Sequence, residues 1–371
     1  MFNRINRTLW RGIKKAGRAQ LRQNTRLTKA LLAPGVTPRR KTVAVPKAKA
    51  AGSRPARKVA APSGKVSATD HPPGNWRSSY YDSTVHADSS PARRMQYWLY
   101  VPSVESSVSL PLVVMLHGCD QTAQEFARAT RMNRLAEDKG FAVLYPQQSL
   151  KGHPQRCWPW YEQSVQKGGN EVALIAGCID RVLQQYPFDR RRIYIAGLSA
   201  GAAMAHILAL TFPQGFAAVG LHSGPVFGAG HSRMGAYAVM QGGSYQASTH
   251  ALAQFGPLPA MPAILLQGRD DRVVRAINQE QLARQFRTLN QLGADSAAPP
   301  VHKPANSRRS AHVIQDYRAG SKLLLRVCDI DELGHAWSGG DGTVKHTEAK
   351  GPDASAMMWD FFARHRRRDI G

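Results

Sequence analysis

The stretch Arg192-Ile193-Tyr194-Ile195-Ala196-Gly197-Leu198-Ser199-Ala200-Gly201-Ala202-Ala203-Met204 holds a strand, a sharp turn and the start of a helix. The apolar run 192–198 has strand length and composition. The small residues after Ser199 open a helical segment spanning about 200–212. Between them lies Gly-x-Ser-x-Gly, the spacing that seats a serine on a tight strand-to-helix turn. The backbone at such a serine is strained, and the flanking glycines let neighbouring segments come close. Ser199 is therefore the candidate nucleophile.

Working outward, apolar runs of strand length alternate with helix-period segments. Strands are expected at 96–102, 111–117, 141–146, 192–198, 216–222, 262–267 and 322–328. Helices are expected near 122–139, 171–186, 200–212, 277–292 and 353–367. This alternation predicts an α/β fold, with a mostly parallel central sheet covered by helices on both faces. In such sheets chemistry collects at the carboxyl ends of the strands.

A nucleophilic serine needs a base, and the base needs an orienting acid. The chain order Ser, acid, His is the one this fold uses. After the strand Ala263–Gln267 comes Gly268-Arg269-Asp270-Asp271-Arg272-Val273-Val274. Asp271 suits an inward-pointing carboxylate at the strand end, with Asp270 as the alternative. Gly334-His335-Ala336-Trp337-Ser338-Gly339-Gly340 then follows the last long strand, and its Gly-rich loop can carry His335 over the sheet. His206, His222 and His346 read as a helix residue, a strand-end residue and a loop residue. Two backbone N–H groups should hold the developing oxyanion. Ala200, next after the serine, is one expected donor. Cys119, exposed by the His117-Gly118 turn after Val113–Leu116, is the other.

Four cysteines (Cys119, Cys157, Cys178, Cys328) show no Cys-x-x-Cys spacing and no histidine clustering, which argues against a zinc site. Cys119 and Cys157 both fall in loops beside the expected site. They could be bridged, or reduced if the protein is cytosolic, and the sequence leaves this open.

Five segments together resemble the poly(3-hydroxybutyrate) depolymerase-type esterases. They are Leu116–Thr122, Tyr145–Ser149, Cys157-Trp158-Pro159-Trp160-Tyr161, the Gly197–Gly201 elbow and Gly334–Gly340. The resemblance covers roughly residues 95–366. It implies an α/β-hydrolase acting as a serine esterase through Ser199, Asp271 and His335, with no metal and no cofactor. The substrate implied is poly(3-hydroxybutyrate) or its oligomers, with feruloyl or acetylxylan esters as the alternative. Trp158, Trp160 and Trp337 would line an apolar ester-binding cleft. The chain opens without the apolar block of a secretory signal and ends at Gly371 without a polymer-binding module. It is thus similar to the family's intracellular members, and a cytoplasmic, granule-associated location is the expectation, with secretion as the alternative.

The charge of +25 is unevenly placed. Residues 1–70 hold 18 of the 50 Lys and Arg side chains and one acid, Asp70. Residues 1–35 read as a basic amphipathic helix, with Phe2, Ile5, Leu9 and Ile13 on one stripe and nine cations opposite. Residues 36–80 read as a disordered Ala/Pro/Lys-rich linker, and 81–371 as the catalytic domain. Residues 1–60 suit a granule coat or an anionic surface, so a surface-binding protein is the rival to an enzyme. The lack of an aromatic residue between 11 and 75 to stack on bases argues against specific nucleic-acid recognition. No apolar run reaches the length of a membrane-spanning helix.

Overall fold

Leu112–Leu116 (LVVML) and Ala263–Gly268 (AILLQG) are apolar at nearly every position, a composition suited to strands covered on both faces. The computed structural model describes residues 72–83, 93–103, 109–244 and 250–367. It places both runs in the centre of a ten-stranded sheet. The strands in chain order are β1 (Asn75–Asp82), β2 (Arg94–Val101), β3 (Leu112–Leu116), β4 (Ala142–Gln147) and β5 (Ile193–Leu198). They continue with β6 (Ala218–His222), β7 (Ala263–Gly268), β8 (Val301–Lys303), β9 (His312–Ala319) and β10 (Lys322–Ile330). The spatial order is β1-β2-β4-β3-β5-β6-β7-β10-β9-β8. The six central strands, β4 to β10 in that order, are parallel. The pairs β1–β2 and β9–β8 extend the sheet antiparallel at its two edges.

Alternate side chains of one strand feed two separate cores. Leu112, Val114 and Leu116 point into one, Val113 and Met115 into the other. Helices cover both faces, so this is an α/β-hydrolase architecture. Helices α4 (Glu171–Gln185), α5 (Ala200–Thr211), α6 (Arg233–Gly242) and α7 (Ile277–Leu289) pack into the first core. Helices α1 (Ala123–Thr130), α2 (Met132–Lys139) and α8 (Ala354–Phe362) pack into the second. A one-turn helix, α3, spans Gln163–Gln166, and a small parallel pair joins β11 (Trp337–Ser338) to β12 (Thr347–Glu348). No helix among the described residues is long and apolar enough to cross a membrane.

Three expectations need correction. The segment 122–139 is two helices. Thr130 Oγ1 bonds back to the carbonyl of Phe126 at 2.9 Å, and Arg131 takes φ 53°, ending α1 and starting α2 at a new angle. The start of α1 is fixed by a capping box between Thr122 and Glu125. The linker expected over 36–80 ends too late, because 75–80 belong to β1. Its sequence, Asn-Trp-Arg-Ser-Ser-Tyr-Tyr-Asp, has no apolar run, since an edge strand buries little. Edge strands β8 and β9 were missed for the same reason. The basic helix at 1–35 and most of the linker lie outside the described residues.

Trp76 ties β1 to the sheet. Its ring stacks on Trp98 with centroids 5.1 Å apart and meets Tyr145 edge-on at 5.5 Å. Trp76→Ala should therefore cost about 2 kcal/mol in urea unfolding. Arg77→Ala, on the exposed side of the same strand, should change stability by less than about 0.5 kcal/mol. Equal, negligible effects would return residues 75–80 to the linker.

Candidate active site

Leu198 ends β5, and Ala200 already belongs to α5, leaving Ser199 alone to make the turn. It does so at φ 56°, ψ −121°, a backbone conformation that L-residues adopt only under strain. Close packing enforces it. A Cβ on Gly201 would sit 2.1 Å from the Leu116 carbonyl oxygen, and one on Gly197 would sit 2.4 Å from the Gly201 carbonyl carbon. The Ser199 N–H donates to the His222 carbonyl at 2.9 Å, fastening the elbow to the end of β6.

Asp271 and His335, 64 residues apart, meet at the carboxyl ends of β7 and β10. His335 Nδ1 lies 2.7 Å from Asp271 Oδ2, and both side chains are buried. The carboxylate is fully partnered. Oδ1 accepts the N–H groups of Val273 and Val274, each at 2.9 Å, and Oδ2 also accepts from Gln267 Nε2 at 3.0 Å. Asp270 is exposed and its N–H donates to the Leu333 carbonyl, so it holds the His335 loop by its backbone. Gly268 permits this approach: a Cβ there would meet the Leu333 oxygen at 2.1 Å. With Nδ1 facing Asp271, Nε2 is the ring nitrogen on the side away from the acid.

The turn at 117–121 is pinned on all sides but one. The Gly118 N–H donates to Gln121 Oε1 at 2.8 Å, and the Asp120 N–H to the Gln155 carbonyl at 2.7 Å. The His117 carbonyl accepts Trp158 Nε1–H at 2.9 Å. Between these bonded groups, Cys119 N–H has no protein acceptor among the described residues. The Ala200 N–H, in the first turn of α5, has no earlier turn to bond to. Ala200 follows Ser199 in the chain, and Cys119 lies in the turn that approaches it. A Cβ at Gly118 would come within 3.6 Å of Ser199 Cβ, a measure of how near the turn lies. A disulfide joins Cys119 to Cys157 with Cα atoms 4.2 Å apart, which answers the question the sequence left open. Cys178 and Cys328 are buried and free.

The three tryptophans do not line a cleft. Trp158 and Trp337 are 0% exposed and Trp160 2%. Trp158 packs beneath the oxyanion turn, its ring 5.2 Å from that of His117. Trp337 lies between His222, at 5.1 Å, and Phe126, at 5.5 Å. Trp160 meets Tyr161 edge-on. Large apolar rings next to a site are as useful in supporting its wall as in forming its surface, and here they support it.

Several supporting residues were not anticipated. His222 accepts the Ser338 N–H at Nε2 (3.2 Å), leaving Nδ1 to face Ser223 Oγ at 3.1 Å, so it steadies the loop that carries His335. His117 accepts the Gln148 N–H at Nε2, and its Nδ1 lies 2.8 Å from the Gly118 carbonyl. Gln121 and Gln267 do similar work. A polar residue at the end of an apolar strand, as at His117, His222 and Gln267, was the available signal. Among the described residues no group of three His, Cys, Asp or Glu side chains gathers as a metal site.

This elbow, acid–histidine pair and amide pocket, set at the carboxyl ends of parallel strands, define the chain as an α/β-hydrolase. More narrowly, it belongs to the family described as Esterase PHB depolymerase, which matches residues 95–303. Among curated proteins it is similar to poly(3-hydroxyalkanoate) depolymerase C of Paucimonas lemoignei, 29% identical over 60% of this chain and 56% of that protein. It is also similar to acetylxylan esterase A of Emericella nidulans, 36% identical over 33% of this chain and 40% of that protein. The chain thus spans about half the length of these relatives or less. Among solved structures, an acetyl xylan esterase from Aspergillus awamori shares the fold. Its TM-score is 0.60 at 18% identity, over 77% of this chain and 99% of that one.

Burial pushes His117 down to about 4 and both His222 and His206 down to about 3, so all three are neutral in the folded protein. Unfolded, each regains a value near 6.5. Below that pH the unfolded chain binds protons that the native chain refuses, so stability is full above pH 6.5 and falls with acidification. The fall should approach about 1.4 kcal/mol per pH unit for each histidine, continuing toward pH 4 for His117 and pH 3 for the other two. Urea midpoints measured from pH 7 to 4 check this. His365, held near 4 by burial, adds a fourth such group, so His206→Phe should make the histidine part of the decline shallower by about one quarter.

Proposed function

We propose that the protein is a serine esterase that hydrolyses poly(3-hydroxybutyrate) or its oligomers. The observation that carries this reading is the buried 2.7 Å contact between His335 and Asp271, at the same end of the sheet as the strained elbow of Ser199. Ser199 Oγ attacks the ester carbonyl while His335 Nε2 takes its proton, and the imidazolium that forms is stabilised by Asp271. The N–H groups of Cys119 and Ala200 hold the oxyanion. His335 then protonates the leaving alcohol and activates the water that releases the acyl group.

A hydroxyalkanoate ester is favoured as substrate because the depolymerase similarity runs over 60% of the chain, against 33% for the acetylxylan esterase. The higher identity of that shorter match, and the shared fold of the Aspergillus enzyme, make acetylated or feruloylated xylan the second reading. Amorphous polyhydroxybutyrate, its oligomers, acetylated xylan and feruloylated sugars, offered side by side to purified protein, separate the two. Release of hydroxybutyrate oligomers is the expected product, and release of acetate or ferulate alone would overturn the assignment.

Ser199→Ala should abolish hydrolysis of a short p-nitrophenyl ester with an unchanged circular dichroism spectrum. Asp271→Asn should lower kcat by about 10⁴, whereas Asp270→Asn should stay within about threefold of the parent, its backbone role being intact. Equal losses at 270 and 271 would reject Asp271 as the orienting acid.

The Cys119–Cys157 bond supports work in an oxidising compartment, against the cytoplasmic expectation, because cytosolic thiols are kept reduced. That also makes an anionic surface outside the cytosol a better target for residues 1–60 than an intracellular granule. Protein purified without reductant and then denatured should expose two titratable thiols, from Cys178 and Cys328. Four would return the protein to the cytosol.

A further inference from the structure

The parallel strands give the fold two distinct ends. Ser199, Asp271 and His335 occupy the carboxyl end. The amino end, about 20 Å away along β5, carries a different chemistry. Two neighbouring cavities of about 680 and 710 Å³ open there, sharing Pro213, Gln214, Phe216 and Arg367. Arg190, Arg191 and Arg367 line the first, and Arg318, Lys322 and Arg364 are among the cations lining the second. Among the described residues Asp180 is the one carboxylate lining either.

The cluster is assembled by the fold. The Arg367 N–H donates to the Arg191 carbonyl at 3.0 Å, and Arg191 Nε donates to the Arg367 carbonyl at 3.2 Å, so two guanidinium-bearing segments are laced together. Arg190 and Arg364 donate to the carbonyls of Leu183 and Asp360, at the last turns of α4 and α8. Capping helix ends accounts for those two bonds. It does not account for Lys322, which begins β10, or for the apolar floor beneath the cations. Ile179, Leu183 and Phe216 form part of that floor, and Phe212 stands 38% exposed at its rim.

Strand β1 begins at the same end. Asn75, the first residue of β1, pairs with Val101 at the end of β2, and Tyr100 pairs with Val143 near the start of β4. Leu112 pairs with Ala142 and with Ile193, at the starts of β4 and β5. The start of β1 therefore lies at the end that carries the arginine cluster, and the 71 residues before residue 72 in sequence hold 18 cations and one acid.

We propose that the amino end of the sheet, cations and apolar floor together, is a docking face for an anionic phospholipid bilayer. Phosphates meet the guanidinium and ammonium groups, and Phe212 enters the boundary between headgroups and acyl chains. The aliphatic side chains of the floor, Ile179 and Leu183, suit acyl chains, which a nucleic acid lacks, and this favours a bilayer. Docked this way, the protein turns its active site away from the membrane, toward esters in solution. The docking does not depend on the esterase reading, and its test does not read activity except as a fold control.

The full chain is co-sedimented with vesicles of phosphatidylglycerol and phosphatidylcholine, and with phosphatidylcholine alone, at low ionic strength. It should sediment with the anionic vesicles only. Arg190→Glu, Lys322→Glu and Arg364→Glu combined should weaken that partition on the order of a hundredfold, with hydrolysis of a soluble p-nitrophenyl ester or, failing such activity, the circular dichroism spectrum unchanged. Phe212→Ser should weaken it several-fold. Unchanged sedimentation of the triple variant would place all binding elsewhere in the chain and overturn the proposal. So would equal binding to neutral vesicles, or binding to duplex DNA without binding to anionic vesicles.

Discussion

The crossing of α5 over the end of β3 is the constraint on which the site depends. Where Gly201 passes the Leu116 carbonyl there is no room for a side chain, and Gly197 has none to spare beneath Gly201. With both Cβ positions empty, the helix starts directly against the sheet, and Ser199 is forced into its strained turn. The same closeness brings the serine beside the Gly118-Cys119 turn that follows β3. A single point of tight packing thus positions Ser199 and the Gly118-Cys119 turn together, with the strain offset by the packing of α5 into the core.

From that point the site is carried by buried polar groups that are nearly all partnered. The elbow's N–H bonds to His222, whose ring accepts from the loop that bears His335, whose ring contacts Asp271. Asp271 accepts three further donors, and the oxyanion turn is held by Gln121, Gln155 and Trp158. Unpaired, such groups would cost about 1–3 kcal/mol each. Paired, they hold loops from four strands in one geometry. The low dielectric that keeps His117 and His222 neutral also strengthens every charge–dipole contact at the centre.

The central strands and the principal helices were legible because full burial leaves an apolar signature along the chain. The turn at Ser199 and the strand-end positions of Asp271 and His335 were legible too, from motif and chain order. Edge strands such as β1 were not legible, because a strand that buries one face weakly carries no such signature. The break at Arg131 turned on a single hydroxyl, from Thr130, bonding back into the helix. The tryptophans misled because an aromatic residue near a site motif reads the same whether its ring faces substrate or core.

By itself the sequence determined the α/β order, the elbow and the order of the acid and histidine that follow it. It also determined that the charge is concentrated before residue 71, since all of these are local patterns. Tertiary structure decided what depends on distant segments meeting. It chose Asp271 over Asp270 by surrounding one carboxylate with donors. It joined Cys119 to Cys157, buried the three tryptophans, and gathered arginines from three separate segments onto the end of the sheet opposite the candidate site.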